Sequence, residues 1–356
     1  MIKREEIISY LDNYDFNDLR IATICSHSAL QIFLGAKELG FKTLGICLED
    51  KKFVYEAFPE AKPDEFILLK SYKDLLKQEI QDYLIKRNCI IIPHGSFIAY
   101  LGVGNILNSF YVPMFGNRKS LLWESNRRKQ IELFKEAGVN YPKVYESLEN
   151  VELPVIAKYH GAKGGQGYKK VFRKEELKRI DIAKCIIQEF LIGVRYYFHF
   201  FYSLLFKNGL KAGNGRIELL GIDKRIETID ECYRTLPQFV DEYVDYVVSG
   251  NIPLILRESL LYHILNDAKK IVEASIKLFY PGLLGPFCLE TFYHPKYKGF
   301  KIFEISNRIV AGTSVYTKIG SLYSWATFGE NMYMGKRIAF EIAKAMKEDK
   351  LDVLIW

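Results

Sequence analysis

No stretch of this sequence holds the ~20 consecutive apolar residues that a membrane-spanning helix needs. No membrane partner is therefore expected. The opening Met1-Ile2-Lys3-Arg4-Glu5-Glu6 has no apolar segment behind its charges, so a secretory leader is not expected either. Cysteine is scarce. Its six copies (Cys25, Cys47, Cys89, Cys185, Cys232 and Cys288) fall singly, without the pairing of a disulfide framework or the spacing of a zinc site. Buried, reduced thiols in a cytoplasmic protein are the expectation. HExxH, CxxC and the Walker pattern GxxxxGK[ST] are missing, and no Cys/His/Asp set follows the logic of a nucleophilic triad. Repeats, low-complexity tracts and runs of one charge are lacking too. The net charge of +7 is scattered, which favours a small anionic ligand over a nucleic acid.

Apolar and aromatic residues are plentiful. Hydrophobic residues make up 49% of the chain, with 24 Phe and 24 Tyr, enough to fill sizeable cores. A length of 356 residues predicts two or three packed units. Over the first third, strand patterns at 21–25, 42–48, 66–69 and 89–92 alternate with helical ones. Ser26 is a candidate cap for a helix that runs to about 39 and ends at Gly40. Strands separated by helices predict a parallel sheet, whose ligands bind at the carboxyl ends of its strands. His27 and the turn Pro93-His94-Gly95-Ser96 lie at two such ends.

The pattern changes past a short strand at 112–117. An amphipathic helix is expected over 121–138, and a strand over 155–158. The glycine-rich loop Gly161-Ala162-Lys163-Gly164-Gly165-Gln166-Gly167 follows, then a strand over 168–172. Strand, glycine loop and strand with no helix behind them predict a hairpin flap. Further strands are expected over 185–191, 195–203, 216–225, 285–292 and 300–305, and helices over 257–278 and 334–346.

Four features carry candidate chemistry. Lys158 ends a strand beside the flap, where its charge can neutralise nucleotide phosphates, unless it is a solvated lysine next to an ordinary hairpin. Gln188 and Glu189 end another strand and are candidates for reading an adenine amino group. Glu290 and Glu304 sit in the apolar contexts Phe287-Cys288-Leu289-Glu290 and Ile302-Phe303-Glu304-Ile305. A carboxylate in a buried strand must be paired with a base or bind a cation. Two on adjacent strands repel unless a divalent ion bridges them, and oxygen donors beside phosphates suit Mg²⁺. In Asp223-Lys224-Arg225-Ile226-Glu227, the basic pair suits phosphate and Glu227 suits ribose hydroxyls or metal-bound water, although a solvated charge run has the same pattern. His27 opens a helix, where free N–H groups favour an anion. His199, within an aromatic strand, reads as a core histidine.

Taken in order along the chain, these residues resemble the archaeal PurP-type formate-dependent ligases of purine synthesis, members of the ATP-grasp superfamily. The likeness rests on Ser26-His27-Ser28-Ala29-Leu30-Gln31-Ile32, Pro93-His94-Gly95-Ser96-Phe97, Phe115-Gly116-Asn117-Arg118 and Leu122-Trp123-Glu124-Ser125. It continues through Gly161-Ala162-Lys163-Gly164-Gly165, Asp223-Lys224-Arg225, Gly250-Asn251-Ile252-Pro253, Arg257-Glu258-Ser259-Leu260-Leu261, Gly285-Pro286-Phe287-Cys288-Leu289-Glu290 and Phe303-Glu304-Ile305-Ser306. It departs at Gln166, at Glu231-Cys232-Tyr233-Arg234-Thr235-Leu236-Pro237-Gln238, and at Ser314, where an Asn is expected.

The resemblance implies an α/β fold: an N-terminal, Rossmann-like preATP-grasp domain over 1–120 with a parallel sheet, then a two-subdomain ATP-grasp fold over 121–356. Within the latter, the flap subdomain would span about 150–205 and the metal-binding subdomain about 206–356. The implied reaction joins formate to the amine of the ribonucleotide AICAR with ATP, through formyl phosphate, giving FAICAR, ADP and phosphate. His27, Ser96 and Asn251 would contact AICAR. Lys158, Gly164, Gly165, Gln188, Glu189 and Glu227 would contact ATP, and Glu290 and Glu304 would hold magnesium or manganese. Arg308 and Lys158 are candidates for stabilising the transferred charge, and a homo-oligomer is implied. Two other readings fit the residues: a ligase of the same fold joining another carboxylate to another amine, and a nucleotide sensor without turnover.

Overall fold

The computed structural model describes residues 1–159, 167–227 and 247–356. The first sheet is parallel, with strand order β3-β2-β1-β4, formed by β1 (Arg20–Ile24), β2 (Lys42–Leu48), β3 (Glu65–Leu69) and β4 (Cys89–Ile91). Helices cover it, so β1 is buried along its whole length, Arg20 and Thr23 included, rather than in alternation. The helix after β1 spans Ala29–Glu38, later than the Ser26 cap implies. His27 takes a left-handed φ of 53°, which turns the chain before the helix begins.

The expected helix over 121–138 is two helices, Arg118–Ser125 and Arg127–Ala137. Asn126 divides them. Its side chain accepts from the N–H groups of Arg128 and Lys129 and so caps the second helix. The expected strand at 112–117 forms only isolated bridges, from Met114 to Ile91 and from Phe115 and Gly116 to Ile355. Through the latter, the C-terminal segment returns to the first sheet.

A four-stranded sheet follows in the order β5-β8-β6-β7, from β5 (Val144–Tyr145), β6 (Val155–Tyr159), β7 (Tyr168–Val171) and β8 (Cys185–Glu189). The third sheet has six strands: β9 (Val194–Ser203), β10 (Leu210–Ala212), β11 (Gly215–Glu227), β12 (Val248–Pro253), β13 (Gly285–Tyr293) and β14 (Phe300–Ser306). Their order is β10-β11-β9-β13-β14, with β12 paired to β11. Phe198, Phe200, Ile222, Phe287, Leu289 and Ile305 point into a core shared with the helix Leu261–Leu278. Strand periodicity sends their neighbours to the opposite face.

The last helix, Met334–Lys347, lies against Ala29–Glu38, backbone to backbone. A Cβ on Gly35 would stand 2.2 Å from the Gly335 carbonyl carbon, and one on Gly335 only 1.9 Å from the Gln31 oxygen. Glycine at both positions is what lets the helix behind His27 dock on the C-terminal part of the chain. Five of the cysteines, Cys25, Cys47, Cys89, Cys185 and Cys288, are free and buried, and Cys232 lies outside the described residues. Among the described residues no helix is long and apolar enough to cross a membrane.

Candidate active site

The face of the third sheet turned away from the Leu261–Leu278 helix carries charge. Arg195, Tyr197 and His199 alternate along β9, Asp223, Arg225 and Glu227 along β11, and Glu290 stands on β13. Glu290 is opposite Glu304 in the β13–β14 ladder, and the register slips beside this pair. The slip leaves Phe303 as an extra residue, the device by which a bulged strand re-aims its side chains.

The expectation for these carboxylates is a basic partner or a cation, and Glu290 has the basic partner. Arg225 grips Glu290 with both terminal nitrogens, at 3.0 and 2.9 Å, and the Ser306 hydroxyl donates to it at 3.2 Å. Arg225 therefore faces a glutamate, where the sequence suggested phosphate, and its guanidinium lies 3.9 Å over the Tyr197 ring. Glu304 is half-buried, and no described residue pairs with its carboxylate. A carboxylate offers about four lone-pair directions, so Glu290 keeps acceptor capacity beyond the Arg225 fork. Two hard-oxygen donors side by side, one with no base attached, fit a small divalent ion that takes its remaining ligands from phosphates and water. Among the described residues no group of three or more His, Cys, Asp or Glu is arranged to hold a metal. Glu227 is buried against Arg195 on the same face.

Lys158 reaches this face from β6 of the four-stranded sheet. Its ammonium lies 5.2 Å over the Phe303 ring. Desolvation pushes its pKa down to about 8, with Arg127 adding to the effect and Glu304 and Glu290 opposing it. Gln188 is buried on β8 with no partner for its Oε1 among the described residues, and Glu189 is engaged by Lys301. Gly164 and Gly165 lie outside the described residues, as do the rest of the glycine loop from His160 to Gln166 and the segment Glu231–Gln238.

The carboxyl ends of β1 and β4 close the other side. His27 and His94 stack with ring centroids 5.2 Å apart and planes within 5°. His94 Nδ1 accepts from the Ser96 N–H and its Nε2 lies 2.9 Å from the Ile24 carbonyl, so the ring carries its proton on Nε2. Burial pushes the His94 pKa down to about 4. Burial, the His94 ring, Arg308 and Arg225 together push that of His27 down to about 2. Ser96 donates to Ser26 at 2.9 Å.

A Cβ on Gly95 would stand 3.3 Å from both Arg308 Nη2 and His27 Nε2, so these two groups converge where the turn has no side chain. Arg308 is anchored by Glu124 at 2.9 Å. Glu124 also accepts from the Asn307 N–H at 2.7 Å, and burial raises its pKa. Glu124 stands in one of the quoted motifs, but nothing in the sequence marked it as the partner of Arg308. Asn251 lies on β12, opposite Arg225 in register. That strand was missed because Val248-Ser249-Gly250-Asn251-Ile252-Pro253 has the composition of a loop and pairs only as an edge.

Lys158 of the four-stranded sheet thus lies beside β14, and Arg308, just past β14, meets His27 and Gly95 at the carboxyl ends of the parallel sheet. A family model described as a protein of unknown function, DUF1246, matches residues 21–145, and one described as a domain of unknown function, DUF1297, matches 165–355. The 5-formaminoimidazole-4-carboxamide-1-(beta)-D-ribofuranosyl 5'-monophosphate synthetase of Korarchaeum cryptofilum is 50% identical over the full length of both chains. The chain belongs to this synthetase family. The relative of the same name in Archaeoglobus fulgidus is 43% identical over 99% of each chain.

Among solved structures, the IMP biosynthesis protein PurP from Thermococcus kodakaraensis superposes with a TM-score of 0.75 at 30% identity, covering 94% of this chain and 100% of that one. An ADP complex of N5-carboxyaminoimidazole ribonucleotide synthetase gives 0.59 at 15% identity, over 84% and 72% of the chains, a likeness of fold alone. The fold is the ATP-grasp fold, preceded by a parallel-sheet domain, as the resemblance implied.

Proposed function

We propose that this synthetase-family member joins formate to the 5-amino group of AICAR, in IMP biosynthesis, at the expense of ATP. The observation that carries the reading is the Glu290–Glu304 pair, one carboxylate held by Arg225 and the other hydrogen-bonded to no described base, with Lys158 over the adjacent Phe303 ring. A formate oxygen attacks the terminal phosphorus of ATP and ADP leaves. The amine nitrogen then attacks the carbonyl carbon of the formyl phosphate, phosphate departs, and the nitrogen loses one proton. Formate is inert to amines until its oxygen can leave as phosphate, so both steps must share one pocket closed to water.

Glu290 and Glu304 would hold Mg²⁺ or Mn²⁺, which when bound neutralises phosphate charge in the transfer. Lys158 places a cation over the same phosphates, joined by Gln188, Glu189, Glu227, Gly164 and Gly165 around ATP. His27, Ser96 and Asn251 bind the ribonucleotide, and Arg308, braced by Glu124, stands beside His27 to stabilise charge on the transferred group. The preATP-grasp unit is taken as residues 1–120 and the ATP-grasp unit as 121–356. The enzyme is taken to be a cytoplasmic homo-oligomer that needs neither nucleic acid nor a membrane.

Purified protein with ATP, Mg²⁺, formate and AICAR should yield ADP, phosphate and FAICAR in equal amounts, followed by mass spectrometry. ADP release that ignores AICAR, in a panel where another amine is consumed, would replace this substrate assignment.

The pH dependence follows from Lys158. With its pKa near 8, the cation is lost as pH rises through that value. The kcat/KM for ATP, which reports the free enzyme, is then expected to fall on the alkaline side with a midpoint near 8. Lys158→Arg should carry the charge well beyond that pH and move the alkaline limb upward. An unmoved limb would remove Lys158 from the phosphate site.

A further inference from the structure

We infer that Asp223 is a positioning residue: it sets which end of the Asn251 amide faces the nucleotide, so that Asn251 presents an oxygen acceptor to a hydroxyl or amino hydrogen. The inference rests on the reading that Asn251 contacts the nucleotide, and it adds the chemical sense of that contact. Asp223 is fully buried in β11. Its Oδ1 lies 2.6 Å from His199 Nε2, and its Oδ2 lies 2.6 Å from Asn251 Nδ2. The backbone of Gly312 closes over the carboxylate, so tightly that a Cβ there would fall 2.5 Å from Oδ1 and 2.8 Å from Oδ2. The carboxylate therefore has little room to swing away from its two neighbours.

Which end of an asparagine amide points where is decided by its hydrogen-bond partners. A carboxylate has no proton to give, so only the Asn251 NH₂ can face it. Asn251 Oδ1 is then turned away from Asp223. Presented to a nucleotide, that oxygen matches a ribose hydroxyl or a ring amino group and repels phosphate or carbonyl oxygens. A site built to bond a particular hydrogen rejects groups lacking it, because its own polar atom is left unpaired. His199 keeps Asp223 oriented from within the sheet, which gives this aromatic-strand histidine a role beyond packing.

The test is a charge-pattern swap. In Asp223→Asn, the new amide keeps its oxygen toward His199 and turns its NH₂ on Asn251, which must then reverse and offer a donor to the nucleotide. The KM for AICAR is expected to rise roughly ten- to a hundredfold, with the KM for ATP little changed. Asn251→Asp alone sets two carboxylates face to face and should raise the same KM. The double variant Asp223→Asn/Asn251→Asp restores a donor facing an acceptor, with an oxygen toward the nucleotide, and should return the KM for AICAR to within about threefold of the parent. A purely structural role for Asp223 would not be rescued by this exchange.

Should Asp223→Asn not fold, Asn251→Asp and the double variant make the same comparison. A double variant as impaired as the single ones would overturn the inference. Asn251→Ala tests the underlying reading separately: if it leaves the KM for AICAR unchanged, the nucleotide contact itself is wrong, whatever the swap shows.

Discussion

Replacing Glu304 by Gln is expected to lower AICAR-dependent ADP release by about a hundredfold or more while leaving the unfolding midpoint where it was. The substitution keeps shape and removes charge. Its effect on folding is small because Glu304 is half-buried and no described basic residue is hydrogen-bonded to it, Lys158 feeling its charge only at longer range. Its effect on turnover is large because the charge it loses is the one that Arg225 does not already neutralise. Glu290→Gln provides the contrast. There the bidentate partner Arg225 loses its counter-charge, and a hydrogen-bonded charged pair contributes roughly 1.5–3 kcal/mol, so stability and turnover should fall together. Turnover of Glu304→Gln within tenfold of the parent, measured at saturating magnesium, would remove its role as a metal ligand.

The second large effect lies far from the chemistry. Arg337 is wholly buried in the last helix, Met334–Lys347. Its Nε and Nη2 meet Glu218 at 2.6 and 3.0 Å, and its Nη1 meets Glu341 at 2.8 Å. Arg216 adds a second cation on Glu218 at 2.6 Å, and Ser203 donates to Glu341 at 2.6 Å. The guanidinium also lies 4.1 Å over the Phe201 ring.

Arg337→Met leaves Glu341 buried without a cation, and removing one partner of a buried pair costs about 3–5 kcal/mol. Denaturant unfolding should show this as a lower midpoint with an unchanged slope. The double variant Arg337→Met/Glu341→Leu removes one charge of each sign and leaves Glu218 with Arg216, so it should recover most of the loss. If the double variant is as unstable as the single one, packing around the guanidinium and not charge compensation holds the helix in place.

How much of the site was legible depended on whether the signal was local. Glu290 and Glu304 stood out because a charge inside an apolar strand is anomalous wherever it occurs. His27 and Ser96 stood out because strand ends in a parallel sheet are where ligands bind. Glu124 was hidden. Its value comes from Arg308, far along the chain, and a glutamate in an amphipathic helix is ordinary. Arg225 was visible as a charge but mis-partnered, since the register that places it beside Glu290 is a property of the sheet. Asn126 divided a helix that read as one, because Asn at an N-cap competes with helix continuation and the periodicity on both sides stayed in phase.

The local order of this protein was written in its residues. Alternating apolar patterns placed β2 residue for residue and most other strands to within two, and the collinear motifs pointed to an ATP-grasp synthetase with a nucleotide end and a metal end. Those are short-range consequences of side-chain periodicity and turn chemistry. Only the tertiary structure decided which charge neutralises which: Arg225 with Glu290, Arg308 with Glu124, Asp223 between His199 and Asn251. Such pairings depend on strand order, on one bulge, and on two helices touching through Gly35 and Gly335, and electrostatic partners are selected by distance in space with no regard to separation along the chain.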